Sequence, residues 1–203
     1  IHGNTDRLPR SLPEIVEAAA IFALAGSALL FAALYFHAMA TTSLWVDELY
    51  SIDRYTSHGP GFVATHYTEP NNHIFFNLIN SVLPGAGSVE PLRARMWSFL
   101  SVAMTLGLML WEFRRRASWL GGAAAIAVLA GNSEWLDLHL QARGYGVMAF
   151  CAMVMSSSIL RFAESRRTRY LAAVSICTVV GTWTIPTFAG FAAPVLLLLA
   201  ITE

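Results

Sequence analysis

The chain has 203 residues, of which 56% are hydrophobic and only 13% are charged, and its mean hydropathy is +0.53. This composition excludes an ordinary soluble domain and predicts an all-α, polytopic membrane protein. Thirteen arginines and no lysine balance thirteen acidic residues, so net charge gives no reason to expect a nucleic-acid partner.

Six apolar segments are predicted to cross the membrane as helices. The first has 26 residues, where a bilayer core needs roughly 20. The last two are separated at Pro186 or form one kinked helix. We expect a single transmembrane domain over 1–203, and we expect it to be a piece of a longer protein, because the chain begins at Ile1 and ends directly after an apolar run. The predicted spans are 15–40, 96–113, 119–135, 145–160, 170–184 and 188–201.

A half-polar segment, 41–91, follows the first predicted span and is predicted to be a loop on the outer side. It contains two short amphipathic stretches, 44–55 and 73–83, which indicate helices lying in the membrane interface. Each has a stripe of polar residues at helical spacing, and the second stripe either lines a site or forms only a hydrated face. These stripes are Asp47, Ser51 and Arg54 in the first stretch, and His73, Asn77 and Asn80 in the second.

The arginines predict the orientation. With a cytoplasmic N-terminus, nine of the thirteen arginines lie inside, including Arg7, Arg10 and those at 114–116 and 161–169, as the positive-inside rule requires. The loop 41–91 and the loop 134–143 then both face the periplasm or its equivalent.

Two adjacent acids, Asp47 and Glu48, stand where the chain leaves the first predicted span. Carboxylates at this depth are costly unless they have a function, such as taking a proton from a hydroxyl group. The alternative is that they only complement the dipole at a helix N-terminus. A lone arginine at the end of an apolar segment, Arg143, either reaches lipid headgroups or binds a phosphate.

The order of these motifs resembles the N-terminal half of the GT-C superfamily of membrane glycosyltransferases. More narrowly, it resembles bacterial relatives of the protein O-mannosyltransferases and of the lipid A aminoarabinose transferase. Such enzymes transfer a sugar from a polyprenyl-phosphate carrier to an acceptor on the outer face. The motifs are Trp-x-Asp-Glu-x-x-Ser at 45–51, Asn-Asn-His at 71–73, Arg93 or Arg95, and Gln-Ala-Arg-Gly-Tyr at 141–145.

The resemblance implies a role for each candidate residue and a set of partners. Asp47 would be the general base or the acid that positions the acceptor, with Glu48 and Glu69 as further catalytic acids. The partners implied are a polyprenyl-phosphate sugar, membrane lipid, and a glycan, lipid or protein acceptor. The location implied is the bacterial inner membrane, with the site on its periplasmic face. The candidate substrate-binding residues are His73, Arg143, Tyr145 and Arg54.

Three alternatives stay open from the sequence. A divalent metal on Asp47, Glu69 and His73 is chemically reasonable, but no metal ligand and no other cofactor is assigned. A non-catalytic membrane subunit could keep the same scaffold and pack against other subunits of a complex. A transporter is a weaker interpretation, because no pair of broken helices shows internal symmetry.

Overall fold

A computed structural model describes residues 12–69, 72–116 and 119–201. Within these ranges it forms α-helices and two short 3-10 turns, without a strand, which confirms the all-α prediction. Arg7, Arg10 and Asn71, which entered the predictions, lie outside the described residues. The helices are α1 (Leu12–Thr41), α2 (Val46–Arg54), α3 (Pro60–Thr65), α4 (Ile74–Ser81), α5 (Pro91–Arg116), α6 (Trp119–Ala130), α7 (Ser133–Leu140), α8 (Tyr145–Ser165), α9 (Thr168–Thr184) and α10 (Ala189–Ile201).

Three helices are long and apolar enough to cross a membrane: α1, α5 and α8. This is typical of a helical membrane protein. The other three predicted spans correspond to α6, α9 and α10, which have 12, 17 and 13 residues, fewer than the roughly 20 that a straight crossing needs.

The third predicted span, 119–135, is shorter in the structure than in the prediction. Helix α6 ends at Ala130, and the Asn132 side chain accepts a hydrogen bond from the Trp135 backbone N–H at 3.0 Å. This N-cap starts a separate helix, α7. Much of the predicted loop 134–143 is therefore helical. The predicted break at Pro186 is confirmed: Ile185 before the proline is extended, and this separates α9 from α10.

Helix α5 lies at the centre of the molecule. On one side it packs with α1, α6 and α7 around an apolar cluster that includes Phe99 and Val102. On the other side it meets α8, which in turn packs along α9. Most apolar side chains of α1 stay exposed, as expected for a helix in contact with lipid.

The length of α5 separates two polar regions. Arg95 lies near its first turn and Glu112 near its last, and 17 residues at 1.5 Å each place their backbones about 26 Å apart, close to the ~30 Å thickness of a hydrocarbon core. We call the region formed by 42–69, 72–90 and 131–144 the site end. We call the region formed by 112–116 and 161–170 the arginine end.

The two predicted amphipathic helices exist as α2 and α4, and each of them buries part of its polar stripe. In α2 the buried residues are Glu48, Ser51 and Ile52, while the predicted apolar neighbours of Ile52 at 45 and 49 are exposed. In the second stretch the stripe His73, Asn77 and Asn80 is buried together with Phe76. The hydrated-face alternative is wrong for this stripe, because its polar groups bond within the protein or lie in its interior.

Candidate functional site

A buried ion pair between Glu48 and Arg95 forms the base of the site end. Both side chains have no exposed surface. The guanidinium donates from Nε to Glu48 Oε1 at 2.8 Å and from Nη2 to Oε2 at 2.5 Å. This two-pronged geometry is the strong form of an arginine–carboxylate contact, and it joins residues 47 positions apart in the chain.

Arg95 also holds the end of α1. Its Nη1 donates to the carbonyl oxygens of Met39 and Thr42, and its Nη2 donates to that of Ser43. The last carbonyls of a helix have no partner inside the helix, and a cation near them is favourable. One side chain therefore fixes the C-terminus of α1, the start of α5 and, through Glu48, the first turn of α2.

Glu48 makes two further contacts that define the surrounding backbone. Its carboxylate accepts the backbone N–H of Trp45 at 2.8 Å, which caps the N-terminus of α2, and the backbone N–H of Ala142. The capping alternative raised for the two acids therefore applies to Glu48. The Glu48 carboxylate thus accepts four hydrogen bonds and has no exposed surface. These bonds connect α2, α5 and the turn at 141–144.

The turn at 141–144 is held against α5 from the other side. The Ser98 hydroxyl donates to the carbonyl oxygen of Gln141 at 2.5 Å. A side chain at Gly146 would meet the backbone of Ser98, with its carbonyl oxygen at 3.0 Å, so a residue without Cβ lets α8 approach α5 closely. These contacts fix the backbone on either side of Arg143.

Asp47, next to Glu48 in the chain, has the opposite environment. Successive helical residues point about 100° apart, so the same turn that buries Glu48 leaves the Asp47 side chain 60% exposed. Its Oδ2 lies 3.1 Å from Arg143 Nη1, and the Arg143 side chain is only 17% exposed. The structure therefore brings together the predicted base and the predicted phosphate-binding arginine.

Tyr145 and His73 lie behind this pair. The Arg143 guanidinium carbon lies 5.2 Å from the centre of the Tyr145 ring, within the range of a cation–π contact. The His73 ring packs edge-on against the same tyrosine, with ring centres 5.3 Å apart. Three of the four predicted substrate-binding residues thus form one group with Asp47.

His73 has an unusual environment for an imidazole. It is buried, and neither ring nitrogen has a hydrogen-bond partner among the described residues. Burial, and secondarily the nearby Arg143 charge, lower the pKa of His73 from 6.5 to about 4. It is therefore neutral at pH 7 and can offer a hydrogen bond but no positive charge.

Chains of hydrogen bonds hold the backbone that presents His73. The Asn72 side chain donates to the His66 carbonyl oxygen at 2.7 Å and accepts from the Asn77 amide at 3.0 Å. Asn72 and Asn77 are both buried. Buried amides normally have such partners, and here they attach the start of α4 to the segment after α3.

Glu69 and Arg54 lie apart from the Asp47–Arg143 pair. The Glu69 carboxylate is exposed and accepts a hydrogen bond from the Tyr50 hydroxyl at 2.5 Å. This hydrogen bond raises the pKa of Tyr50. Arg54 is exposed in the last turn of α2. The catalytic role of Glu69 and the substrate-binding role of Arg54 stay predictions.

The structure gives no support to the metal set considered from the sequence. Among residues 12–69, 72–116 and 119–201, no group of three or more His, Cys, Asp or Glu side chains could hold a metal ion. Asp47 and His73 lie on different members of one group, against Arg143 and Tyr145 respectively, whereas Glu69 lies apart from them against Tyr50.

Arg95 is the important residue that the sequence left unresolved, because either Arg93 or Arg95 could have matched the motif. In the structure Arg93 donates to the Gly85 carbonyl oxygen at 2.8 Å, whereas Arg95 forms the buried ion pair with Glu48. The signal is an arginine one turn inside a long apolar helix, a costly position that requires a buried partner.

Comparisons with known proteins do not assign this site. No family model, no curated protein and no solved structure matches the chain.

Proposed function

We propose that this protein is a membrane glycosyltransferase that moves a sugar from a polyprenyl-phosphate donor to a hydroxyl-bearing acceptor. The observation that carries the proposal is the exposed Asp47 carboxylate, 3.1 Å from the Arg143 guanidinium. Both residues lie on backbone held by the buried Glu48–Arg95 pair. The order of motifs that resembles the GT-C superfamily adds support.

In the proposed reaction Asp47 takes the proton of the acceptor hydroxyl. The acceptor oxygen then forms a bond to the anomeric carbon of the sugar, and the bond from that carbon to the phosphate oxygen breaks. The electron pair leaves with the polyprenyl phosphate, and direct displacement inverts the anomeric centre. A positioned base of this kind typically contributes ~10² to 10⁴ in rate.

Arg143 is proposed to bind the phosphate as it gains negative charge. A planar guanidinium can bridge a carboxylate and a phosphate, which keeps the base close to the leaving group. Tyr145 orients it through the ring contact. His73 is neutral, and its ring nitrogens have no hydrogen-bond partner among the described residues, so it would give a hydrogen bond to the donor.

Glu48 has a different proposed role from its neighbour. Its four hydrogen bonds and complete burial favour a positioning residue, one that fixes Asp47 and the turn carrying Arg143 relative to each other. Proton transfer is assigned to Asp47 alone.

We propose that the site end faces the periplasm of a bacterial inner membrane and that six segments cross it. Support comes from the arginines at 114–116 and 161–169, which lie at the opposite end of α5 and α8 from Asp47. The positive-inside rule favours a cytoplasmic location for that end.

The test is sugar transfer by the purified protein in nanodiscs, supplied with a panel of radiolabelled polyprenyl-phosphate sugars and with lipid, glycan and peptide acceptors. We expect Asp47→Asn to lower kcat at least about a hundredfold, the loss expected for a general base. The matched control is Asp53→Asn, an exposed acid on the same helix, which should keep full activity.

Two results would contradict the proposal. One is equal activity of the Asp47 and Asp53 variants. The other is an absence of transfer from every donor by the wild-type protein. If a partner then co-purifies in a fixed ratio, the non-catalytic subunit becomes the better interpretation.

A further inference from the structure

The arginine end contains an open pocket between α8 and α9 with a volume of about 360 Å³. Arg161, Arg169 and Tyr170 line it, together with the buried Ser158. Roughly 16 helical residues along α8 separate Arg161 from Tyr145, or about 24 Å, so this pocket is separate from the Asp47 site.

The cations of the pocket are held in place before any ligand arrives. Arg161 donates from Nε to Glu112 at 2.7 Å, and the Ser157 hydroxyl donates to the same carboxylate oxygen at 2.6 Å. Arg169 donates to the Tyr170 hydroxyl at 3.0 Å. Ordered donors lose little freedom when an anion binds, which favours affinity.

The charge balance at this end favours an anion. The stretches 112–116 and 161–170 contain seven arginines and two glutamates. Both glutamates pair with arginines at 115, 116 and 161. Arg169 forms no ion pair with a carboxylate of the described residues, and the Ser158 hydroxyl, at the pocket wall, makes no hydrogen bond with them.

The remaining wall of the pocket is apolar and indicates the kind of anion. Leu108, Val154 and Ala173 each lie one or two helical turns from the polar residues, toward the middle of their helices. A phosphate at the arginines would therefore have a hydrocarbon path beside it. A free phosphate ion would not use this path, whereas a phospholipid would.

We propose that this pocket binds the phosphate group of an anionic phospholipid from the leaflet at the arginine end. Basic pockets between membrane helices are known to select such headgroups, and the cytoplasmic leaflet is rich in them. Arg169 and Arg161 contact the phosphate, and Ser158 and Tyr170 add hydroxyl groups. This site is independent of the sugar-transfer reaction.

The test titrates phosphatidylglycerol into the purified protein in detergent micelles and counts bound lipid by native mass spectrometry, with phosphatidylcholine as the neutral comparison. We expect phosphatidylglycerol to bind at least about tenfold more tightly. Arg169→Gln should weaken it by about tenfold or more, the loss typical of a hydrogen bond to a charged group. Arg169 is exposed, so the variant should fold normally.

The matched control is Arg167→Gln. Arg167 lies two residues before Arg169, is also exposed, and is not part of the pocket wall, so the variant loses the same charge outside the pocket. It should weaken binding by about fivefold or less, the effect of one charge near an anionic surface. Equal losses in the two variants would overturn the proposal, because the attraction would then be diffuse. Displacement of the lipid by millimolar inorganic phosphate would also overturn it, by assigning the pocket to a soluble anion.

Discussion

The site end and the arginine end each have a buried glutamate paired with arginine. The two ion pairs differ in how far their arginines are exposed to solvent. At the site end Glu48 and Arg95 have no exposed surface, and the arginine directs its other N–H groups to backbone carbonyls. At the arginine end Glu112 is 6% exposed in its side chain, but its partners Arg116 and Arg161 are 27% and 22% exposed.

Glu48–Arg95 is therefore a buried structural ion pair, whereas Glu112 and its arginines form a cluster at the surface. If Glu48 or Arg95 is lost, the remaining charge has no water to replace its partner, and such an uncompensated charge is very costly. If Glu112 is lost, its arginines can turn to solvent. At the site end the buried pair thus holds backbone in place, and the exposed Asp47 carboxylate lies next to it in the chain.

The largest expected effect comes from Arg95→Met. It leaves the Glu48 carboxylate buried without its cation, and we expect the free energy of unfolding to fall by about 3 to 5 kcal/mol. The measurement is unfolding by sodium dodecyl sulfate titrated into detergent micelles. Arg93→Met, which removes a hydrogen bond to the Gly85 carbonyl oxygen, is the matched control and should cost much less.

A double variant checks the cause. Replacing both Glu48 and Arg95 by methionine removes both buried charges, so it should be more stable than Arg95→Met alone. A double variant as unstable as the single one would show that the loss comes from packing or from the backbone contacts.

The next effect is a pH dependence at the site end caused by His73. The unfolded chain binds a proton at His73 near pH 6.5, whereas the folded protein binds it only near pH 4. Stability is therefore lost as the pH falls from about 6.5 to 4, by about 3 kcal/mol at most. We expect His73→Phe to lose this part of the pH dependence, measured by unfolding at pH 7, 5.5 and 4. Identical pH profiles for the variant and the wild type would contradict the burial of a neutral imidazole.

The smallest expected effect is at the arginine end. Glu112→Gln keeps the shape of the side chain but removes its charge, and we expect a loss of about 1 to 2 kcal/mol, because Arg116 and Arg161 can be hydrated. Glu164→Gln, whose side chain is 42% exposed, should change stability by less than about 0.5 kcal/mol. A loss for Glu112→Gln as large as that for Arg95→Met would remove the contrast between the two ends.

The predictions from sequence were best for the helices and weaker for their ends and faces. Helices α2 and α4 begin and end within about two residues of the predicted stretches, because turn residues bound them on both sides. The break between α6 and α7 was missed, because the prediction took Trp119 and Trp135 as the two membrane-interface ends of one span and passed over the turn residues at 131–134. The inward orientation of the polar stripe of α4 could not be read from its spacing, which is the same for a hydrated and a buried face.

The sequence by itself determined that this is a helical, apolar chain with two adjacent acids after its first long helix and arginines collected in two later stretches. These features depend on composition and local periodicity, which act over a few residues. Only the tertiary structure decided that Glu48 is buried on Arg95 while Asp47 is exposed beside Arg143. That choice is made by segments 47 and 96 positions away in the chain, and no local pattern carries that information.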